Sequence, residues 1–188
     1  AIAALLTFSA SKALAQDAVP VNIEPGTDGI SAWTKGWTYS QSYNSNNFSW
    51  LNGDFTRART LCYGNGKVFV TDKDNKILHV VDSRTGEKLY ELTATNIPDN
   101  VSGYGALSDV RYFEGSKAKY VFACNMVTST SKALQVYRWK DDGTSSNPEI
   151  FLTTTDRKVA GRWGDGFYIT GDPDGDGKIW FVRSSSGS

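Results

Sequence analysis

RARTLCYGNGKVFVTDKDNKILHVVDSRTGEKLYELT, residues 57–93, is the stretch that decides the fold. It holds four short apolar runs, separated by turn clusters of sequence GNG, DKDN and SRTGE. Short connections rich in Gly, Asn and Asp are typical of β-hairpins. The runs are mostly continuous rather than alternating, as expected of strands that are covered on both faces. This stretch therefore predicts a four-stranded antiparallel sheet with a packing partner on each side.

Two downstream stretches repeat this layout. Residues 107–153 contain four runs of matching order, after a long crossing at residues 94–106. Residues 157–188 start a third unit, in which RKVAGRW, GDG and FYITG are predicted to be the first strand, its turn and the second strand. A hairpin, DPDGDG, then leads into KIWFVRS, which leaves the third unit incomplete.

The second strands of the three units begin near residues 67, 119 and 167, a period of about 50 residues. Four strands per unit at this period are typical of a β-propeller. The sequence thus predicts an all-β fold, a partial β-propeller of about two and a half four-stranded antiparallel blades. Because so few blades cannot close a ring, the chain is expected to be the N-terminal part of a longer propeller.

Residues 68–92, VFVTDKDNKILHVVDSRTGEKLYEL, combine a strand, a tight Asp/Asn turn, a second strand and a Thr-Gly-Glu turn into a last strand. This unit resembles the blades of secreted β-propellers with NHL-type and YVTN-type repeats, and the likeness extends over residues 57–184. The whole chain also resembles exported propellers of Bacteroidetes-type bacteria. Such families include sugar binders, scaffold proteins, lactonases and lyases, so the resemblance implies a fold and leaves the activity open.

The residues before the repeats carry signs of export. Residues 1–15 join an apolar run, AIAALLTF, to small residues that end in an A-x-A signal-peptidase site, and we interpret them as the remnant of a signal peptide. Residues 16–56 form a linker and an aromatic-rich lead. Export to the periplasm, the cell surface or the exterior is therefore expected. No transmembrane segment is predicted, because the apolar run is too short to span a bilayer.

The lead is dense in aromatic residues. Trp33, Trp37 and Trp50 stand among Ser, Asn and Gly, and parts of the segment alternate as a half-buried strand does. Two interpretations stay open. The rings pack inside a strand that completes a blade, or they form an exposed platform for sugars, whose apolar C–H faces stack on aromatic rings.

The turn DPDGDG places Asp172, Asp174 and Asp176 at alternate positions. Carboxylates in this pattern, followed by Gly, match the start of a calcium-binding loop. The ninth and twelfth positions of such a loop are Trp180 and Arg183 here, so an EF-hand is excluded. The alternatives are a smaller calcium loop and a solvated hairpin whose Asp and Gly residues supply turn geometry.

Ligands of ring-shaped folds commonly bind where loops converge on a rigid scaffold. Three residues near the predicted convergence of loops are candidates for ligand binding. They are Tyr104, which lies between two glycines, and Asp109 and Arg111 in the first strand of the second unit. The alternative for each is ordinary packing. The expected topology gathers four loops at this end, namely residues 72–76, 94–106, 125–132 and 171–178.

The sequence lacks the residue patterns that several kinds of function require. The 20 Lys and Arg balance 20 Asp and Glu, so no basic patch indicates nucleic acid. His79 is the one histidine, which excludes multi-histidine metal sites, and its run KILHVVD indicates a packed side chain. Cys62 and Cys124 are interpreted as buried thiols, with a single bridge as the alternative. Asp141 and Asp142 are interpreted as part of a solvated turn.

The absence of a nucleophile–base pattern, together with the aromatic lead, favours an exported propeller that binds a glycan or a cell-surface protein. Two alternatives remain open. One is a propeller hydrolase or lyase, calcium-assisted, with its catalytic residues mainly in further blades. The other is a structural scaffold without a small-molecule ligand. Calcium is the cofactor that the sequence suggests.

Overall fold

A computed structural model describes residues 20–22, 32–34, 58–73, 75–97, 105–144, 146–157 and 161–184, with the backbone alone for the first two ranges. The secondary structure of these residues consists of β-strands, without a helix. The strands are β1 Pro20–Asn22, β2 Ala32–Thr34, β3 Ala58–Gly64, β4 Lys67–Asp72, β5 Ile77–Asp82, β6 Lys88–Thr93, β7 Asp109–Glu114, β8 Lys119–Cys124, β9 Leu134–Lys140, β10 Glu149–Thr154, β11 Arg162–Thr170 and β12 Lys178–Ser184.

The turns of the first unit owe their shape to their residues. In GNG, both central residues, Asn65 and Gly66, have positive φ angles (50° and 73°), as a two-residue type I′ hairpin turn requires. In the next turn, Asp72 Oδ1 accepts the backbone N–H of Asn75 (3.1 Å). Asp82 Oδ1 accepts two backbone N–H groups of the turn that follows it (2.8 and 2.9 Å). Short polar side chains thus satisfy the backbone where the chain reverses.

The strands form two four-stranded antiparallel sheets and one two-stranded sheet. The first sheet has the order β3-β4-β5-β6, the second β7-β8-β9-β10 and the third β11-β12, while β1 and β2 pair separately. β7 contacts both β3 and β11, so the first strands of the three sheets are neighbours. This is the arrangement of a partial β-propeller, and it confirms the predicted all-β fold of about two and a half blades.

The second sheet is packed on both faces, and alternation along its strands assigns each residue to a face. In β8, Tyr120, Phe122 and Cys124 pack toward the third sheet, whereas Val121 and Ala123 pack toward the first. All five side chains are at most 3% exposed. Because successive strand residues point to opposite faces, a strand covered on both sides needs a continuous apolar run.

The first interface lies between the first and second sheets. Phe69 of β4 stacks on Tyr112 of β7, with ring centroids 6.0 Å apart. Trp139 of β9 is buried, and its indole N–H donates to the carbonyl oxygens of Thr93 (3.2 Å) and Ser146 (2.9 Å). Full burial of a side chain such as Phe69 contributes about 1.5–3 kcal/mol. Further buried members of this core are Leu78, Val80, Leu92, Ala94, Ile97, Ala106, Leu107, Val110, Val121, Ala123 and Tyr137.

The second interface lies between the second and third sheets, and it is dominated by aromatic rings. Phe122 makes edge contacts with Phe113 (5.9 Å) and with Phe151 (5.3 Å). On the opposite side, Phe167 of β11 lies 6.2 Å from Phe181 of β12. Edge-to-face pairs of this kind add about 0.5–1.5 kcal/mol each beyond their burial. Only two strands of the third sheet supply this side of the interface among the described residues.

The outer faces of the first and third sheets differ from the interfaces. On β3 of the first sheet, Leu61 and Tyr63 are 61% and 66% exposed. No described sheet covers this part of β3, so the prediction that residues 57–93 form a sheet covered on both sides stays a prediction here. The second sheet is the one that has a described sheet on each side.

The third unit also departs from the prediction. Arg162–Thr170 is one continuous strand, whereas a strand at residues 157–163, a GDG turn and a second strand were expected. A Cβ atom on Gly164 would lie only 2.0 Å from the carbonyl oxygen of Asn125, so the backbone passes very close to the second sheet here. Gly164 alone of the GDG residues has a positive φ angle (88°). The segment therefore forms an irregularity within β11 rather than a hairpin.

This difference moves the turn at residues 171–177 to the other end of the sheets. The turn follows the first strand of its sheet, so it lies beside the corresponding turn of the second sheet, residues 115–118. The backbone N–H of Lys117 donates to Asp174 Oδ2 across this contact (2.9 Å). The prediction that residues 171–178 gather with residues 72–76 and 125–132 is therefore wrong.

Candidate functional site

Asp109 and Arg111, two of the predicted site residues, connect β7 to β11. Asp109 Oδ2 accepts the backbone N–H of Phe167 (3.0 Å) and lies 3.0 Å from Arg111 Nη2. Arg111 Nε in turn donates to the Phe167 carbonyl oxygen (3.1 Å). Burial raises the pKa of the Asp109 carboxyl group, although these hydrogen bonds and the guanidinium act against the rise. The pair holds two neighbouring first strands in register, and Asp109 itself is buried.

Asp165, which the sequence analysis did not single out, gathers two more arginines. Its Oδ1 accepts Arg59 Nη2 (2.5 Å), and its Oδ2 accepts Arg162 Nε (2.6 Å). Half of the Arg162 side chain is exposed, against 29% for Arg59. We call Arg59, Arg162 and Asp165 the arginine group. It was missed because GDG was interpreted as a hairpin turn, in which Asp165 would have served only turn geometry.

The three aspartates of the turn at residues 171–177 accept hydrogen bonds from backbone and side chains. Asp172 Oδ1 accepts the backbone N–H of Ser116 (3.1 Å), and Asp176 Oδ1 accepts that of Asp172 (3.1 Å). Asp174 Oδ1 accepts the Tyr120 hydroxyl (2.6 Å). Within the described residues, no three His, Cys, Asp or Glu side chains are grouped so that they could hold a metal ion. The calcium loop stays a prediction, which these hydrogen bonds do not test.

Two of these carboxyl groups have lowered pKa values. Hydrogen bonds from Ser116 lower the pKa of Asp172, with a further contribution from the backbone of Asp174. Burial acts to raise the pKa of Asp174, but the hydrogen bonds from Tyr120 and from the Lys117 backbone outweigh it. Both aspartates therefore favour the ionised form while they join the second and third sheets.

The outer face of the third sheet carries an exposed aromatic pair. Tyr168 of β11 and Trp180 of β12 are direct cross-strand partners, 57% and 59% exposed. The Trp180 indole N–H donates to Thr170 Oγ1 (2.9 Å), and Phe113 packs edge-on against the Tyr168 ring (5.3 Å). Val182, two residues along β12, is 58% exposed on the same face. We call Tyr168, Thr170, Trp180 and Val182 the aromatic face.

A cavity of about 220 Å³ lies beside the β9–β10 connection. Its wall includes Tyr120 and Trp139, but both rings are at most 3% exposed. Arg138 is already held at 4.6 Å from the Tyr120 ring and by Glu149 Oε2 at 2.7 Å. Pockets for small organic ligands usually measure about 300–1,000 Å³. This cavity therefore offers less to a ligand than the aromatic face does.

Asp141 differs from the expectation of a solvated turn. Its side chain is fully buried, and its Oδ1 accepts Lys67 Nζ (2.7 Å) and the Tyr90 hydroxyl (3.1 Å). Asn65 Nδ2 donates to its second oxygen (2.9 Å). Burial, and then the Asp141 charge, raises the pKa of Tyr90. Asp142 next to it is exposed, as predicted. We call Asn65, Lys67, Tyr90 and Asp141 the Asp141 cluster, which closes one end of the first interface.

His79 is a packed side chain, as predicted. It is 2% exposed, with Nδ1 3.2 Å from Glu91 Oε1 and Nε2 3.6 Å from Asp72 Oδ2. Cys62 and Cys124 are free thiols in the structure; Cys124 is buried and Cys62 partly so. Burial raises the pKa of Cys62 to about 12 and raises that of Cys124 as well. None of these three groups is arranged to act on a ligand.

Several predicted candidates fall outside the described residues. These are Tyr104, Trp37 and Trp50, as well as the signal-peptide interpretation of residues 1–15. Trp33 lies in β2, for which only the backbone is described. The interpretation of the lead as a sugar platform therefore stays a prediction.

Comparisons with protein-family models, with curated proteins and with solved structures find no match to this chain. The resemblance to NHL-type and YVTN-type propellers thus stays a prediction from the repeat itself. The described part of the chain contains no helix with the length and apolar character that crossing a membrane requires.

Proposed function

We propose that this chain is an exported β-propeller binding module whose ligand is a glycan, held on the aromatic face. The observation that carries the proposal is the cross-strand pair of Tyr168 and Trp180, both more than half exposed. Neighbouring exposed aromatic rings on a sheet face mark interaction sites more often than scattered single apolar residues do. Sugar rings present apolar C–H surfaces that stack on such rings, while their hydroxyl groups stay hydrated.

Two contacts support a binding role for this pair. Trp180 is oriented by its bond to Thr170, and Tyr168 by the edge of Phe113. Side chains that are fixed before a ligand arrives lose little conformational freedom on binding, and this strengthens affinity. Export is part of the proposal because of residues 1–15, whose sequence matches the end of a signal peptide.

The proposal is tested by screening the chain on an array of neutral and acidic oligosaccharides, followed by calorimetry with the sugars retained. We expect Trp180→Ala to weaken binding about two- to tenfold, since a stacking contact contributes about 0.5–1.5 kcal/mol. Tyr63→Ala is the matched control, because Tyr63 is an equally exposed aromatic residue on the outer face of the first sheet. Retention of no sugar, or equal losses in the two variants, would contradict the proposal.

A further inference from the structure

We infer that the glycan bound by the aromatic face is acidic, with carboxylate groups that Arg162 recognises. This inference rests on the proposed function and names the chemical class of its ligand. The structure contributes three observations: the position of Arg162 on the same face, the state of its guanidinium group, and the charge along the rest of the face.

Arg162 belongs to the same side of the third sheet as the aromatic pair. It is the direct cross-strand partner of Ser184, just as Tyr168 is the partner of Trp180. Residues 180, 182 and 184 of β12 alternate onto one face, so Arg162 lies at the end of the row that Trp180 and Val182 begin. At about 3.3 Å per residue, the positions of Trp180 and Ser184 are roughly 13 Å apart. A ligand longer than one sugar residue can therefore span both.

The guanidinium group of Arg162 is held and still accessible. Asp165 Oδ2 accepts its Nε at 2.6 Å, while half of the side chain remains exposed. Asp165 is shared with Arg59, so the arginine group carries one net positive charge. A planar guanidinium that is fixed through Nε can present its two terminal nitrogens to a carboxylate, the geometry of the strongest charged hydrogen bonds in proteins.

One carboxylate, that of Asp165, contacts the face: its Oδ2 accepts Arg162 Nε and lies 3.5 Å from Ser184 Oγ, and it is outnumbered by the cations around it. The β11 and β12 positions that share the face, as far as the structure describes them, are Gly166, Tyr168, Thr170, Trp180, Val182, Ser184 and the two cations Arg162 and Lys178. Lys178 is exposed and pairs with Thr170 at the opposite end of the row. In the neighbouring turn, Asp172 and Asp174 are engaged with the second sheet, whereas Asp176 is exposed and accepts the backbone N–H of Asp172. Complementarity of charge thus favours a polyanion over a neutral sugar.

The test compares polygalacturonate, with one carboxylate per sugar, and the same polymer with its carboxylates methyl-esterified, which removes the charge and keeps the sugar backbone. Binding is measured by affinity electrophoresis and calorimetry, with a chelator present, at low salt and at about 0.15 M salt. We expect the unesterified polymer to bind at least tenfold more tightly. Arg162→Gln is expected to remove most of this difference, and Arg162→Lys to restore part of it. Arg84→Gln, in an exposed turn of the first sheet, is the control.

The outcomes separate the inference from the proposed function. If both polymers bind equally and Arg162→Gln changes neither, the inference is overturned while a glycan-binding face stands. If Trp180→Ala leaves the binding of every sugar unchanged, both fail. Two further results would overturn both: loss of sugar binding when the chain is extended by the further blades predicted from the repeat, because a blade would then cover the face, or concentration-dependent self-association in sedimentation velocity that Trp180→Ala abolishes, because a second copy would then cover it. Thermal melting of each variant verifies that it is folded.

Discussion

Asp141 and Asp174 both join the second sheet to a neighbour, and both side chains are at most 4% exposed, but they accept hydrogen bonds from different kinds of donor. Asp141 is fully buried in the first interface and neutralises the Lys67 ammonium. Asp174 lies in a turn beside the second interface, where it accepts the Tyr120 hydroxyl and a backbone N–H, while the Arg138 guanidinium is farther away at 3.6 Å. A buried ion pair is costly to break because it leaves a charge without a partner, whereas the loss of the Asp174 charge affects mainly two neutral donors.

The largest effect is expected for Asp141→Ala. The substitution leaves the Lys67 ammonium and the Tyr90 hydroxyl without their common acceptor, and loss of one member of a buried pair costs about 3–5 kcal/mol. Urea denaturation at neutral pH measures the loss of unfolding free energy. Asp142→Ala is the control, since its side chain is exposed in the same turn. Equal effects of the two substitutions would show that the burial of Asp141 is not what stabilises the first interface.

A smaller effect, with a characteristic pH dependence, is expected for Asp174→Asn. A carboxyl group whose folded pKa is lowered stabilises the protein above its unfolded pKa of about 3.9, and that contribution is lost as the pH falls through the folded value. The variant should therefore be less stable than the wild type at pH 7, and the difference should shrink below about pH 4. The raised pKa of Asp109 lowers the stability of wild type and variant alike as the pH rises above the unfolded value, so it does not change the difference between the two proteins.

Urea midpoints of wild type and Asp174→Asn across the acidic range measure this difference, with the exposed Asp156→Asn as control. A difference that does not change with pH would refute the role of the Asp174 charge. The same samples test the calcium prediction. If added calcium raises the midpoint of the wild type and not that of Asp174→Asn, the turn at residues 171–177 is a calcium loop.

The smallest effect concerns the reactivity of the two thiols, one in each interface. Because the thiolate is the reactive form, burial that raises the pKa of Cys62 to about 12 makes it react slowly at neutral pH. Cys124, which is fully buried, should react more slowly still. Labelling with a chromogenic disulfide reagent measures both rates, using Cys62→Ser and Cys124→Ser to separate them. Asp141→Ala should accelerate Cys62 selectively, and a uniform acceleration would mean that the interfaces do not open independently.

The strands of the first two units could be predicted because local chemistry determines them. GNG supplies two residues that tolerate positive φ, and a type I′ turn needs both. GDG shares its two glycines with GNG, but Asp165 does not adopt a positive φ angle, so the third unit folds differently. The deciding influence there is the close approach of Gly164 to the Asn125 carbonyl, which arises from the packing of two sheets and leaves no local pattern.

The candidate site was less predictable for the same reason. Asp109 and Arg111 were predicted as ligand-binding candidates from the expected topology, and that role stays a prediction, while the structure shows them connecting β7 to β11. The arginine group was not predicted, because Arg59 and Asp165 are 106 residues apart and meet only through the neighbouring first strands. Burial of Asp141 likewise depends on Lys67 of another sheet. Contacts between sheets thus determine these roles, and periodicity along one strand does not report them.

The alternation along β8 has a consequence for how such a unit can evolve. Loss of Val121 would make Tyr120 and Phe122 consecutive, so one of the two rings would turn toward the first sheet and the packing of both interfaces would be disturbed at once. Loss of two residues would preserve the faces. Descendants of this unit should therefore vary in the length of exposed turns such as residues 128–131, while β8 changes length only by even numbers.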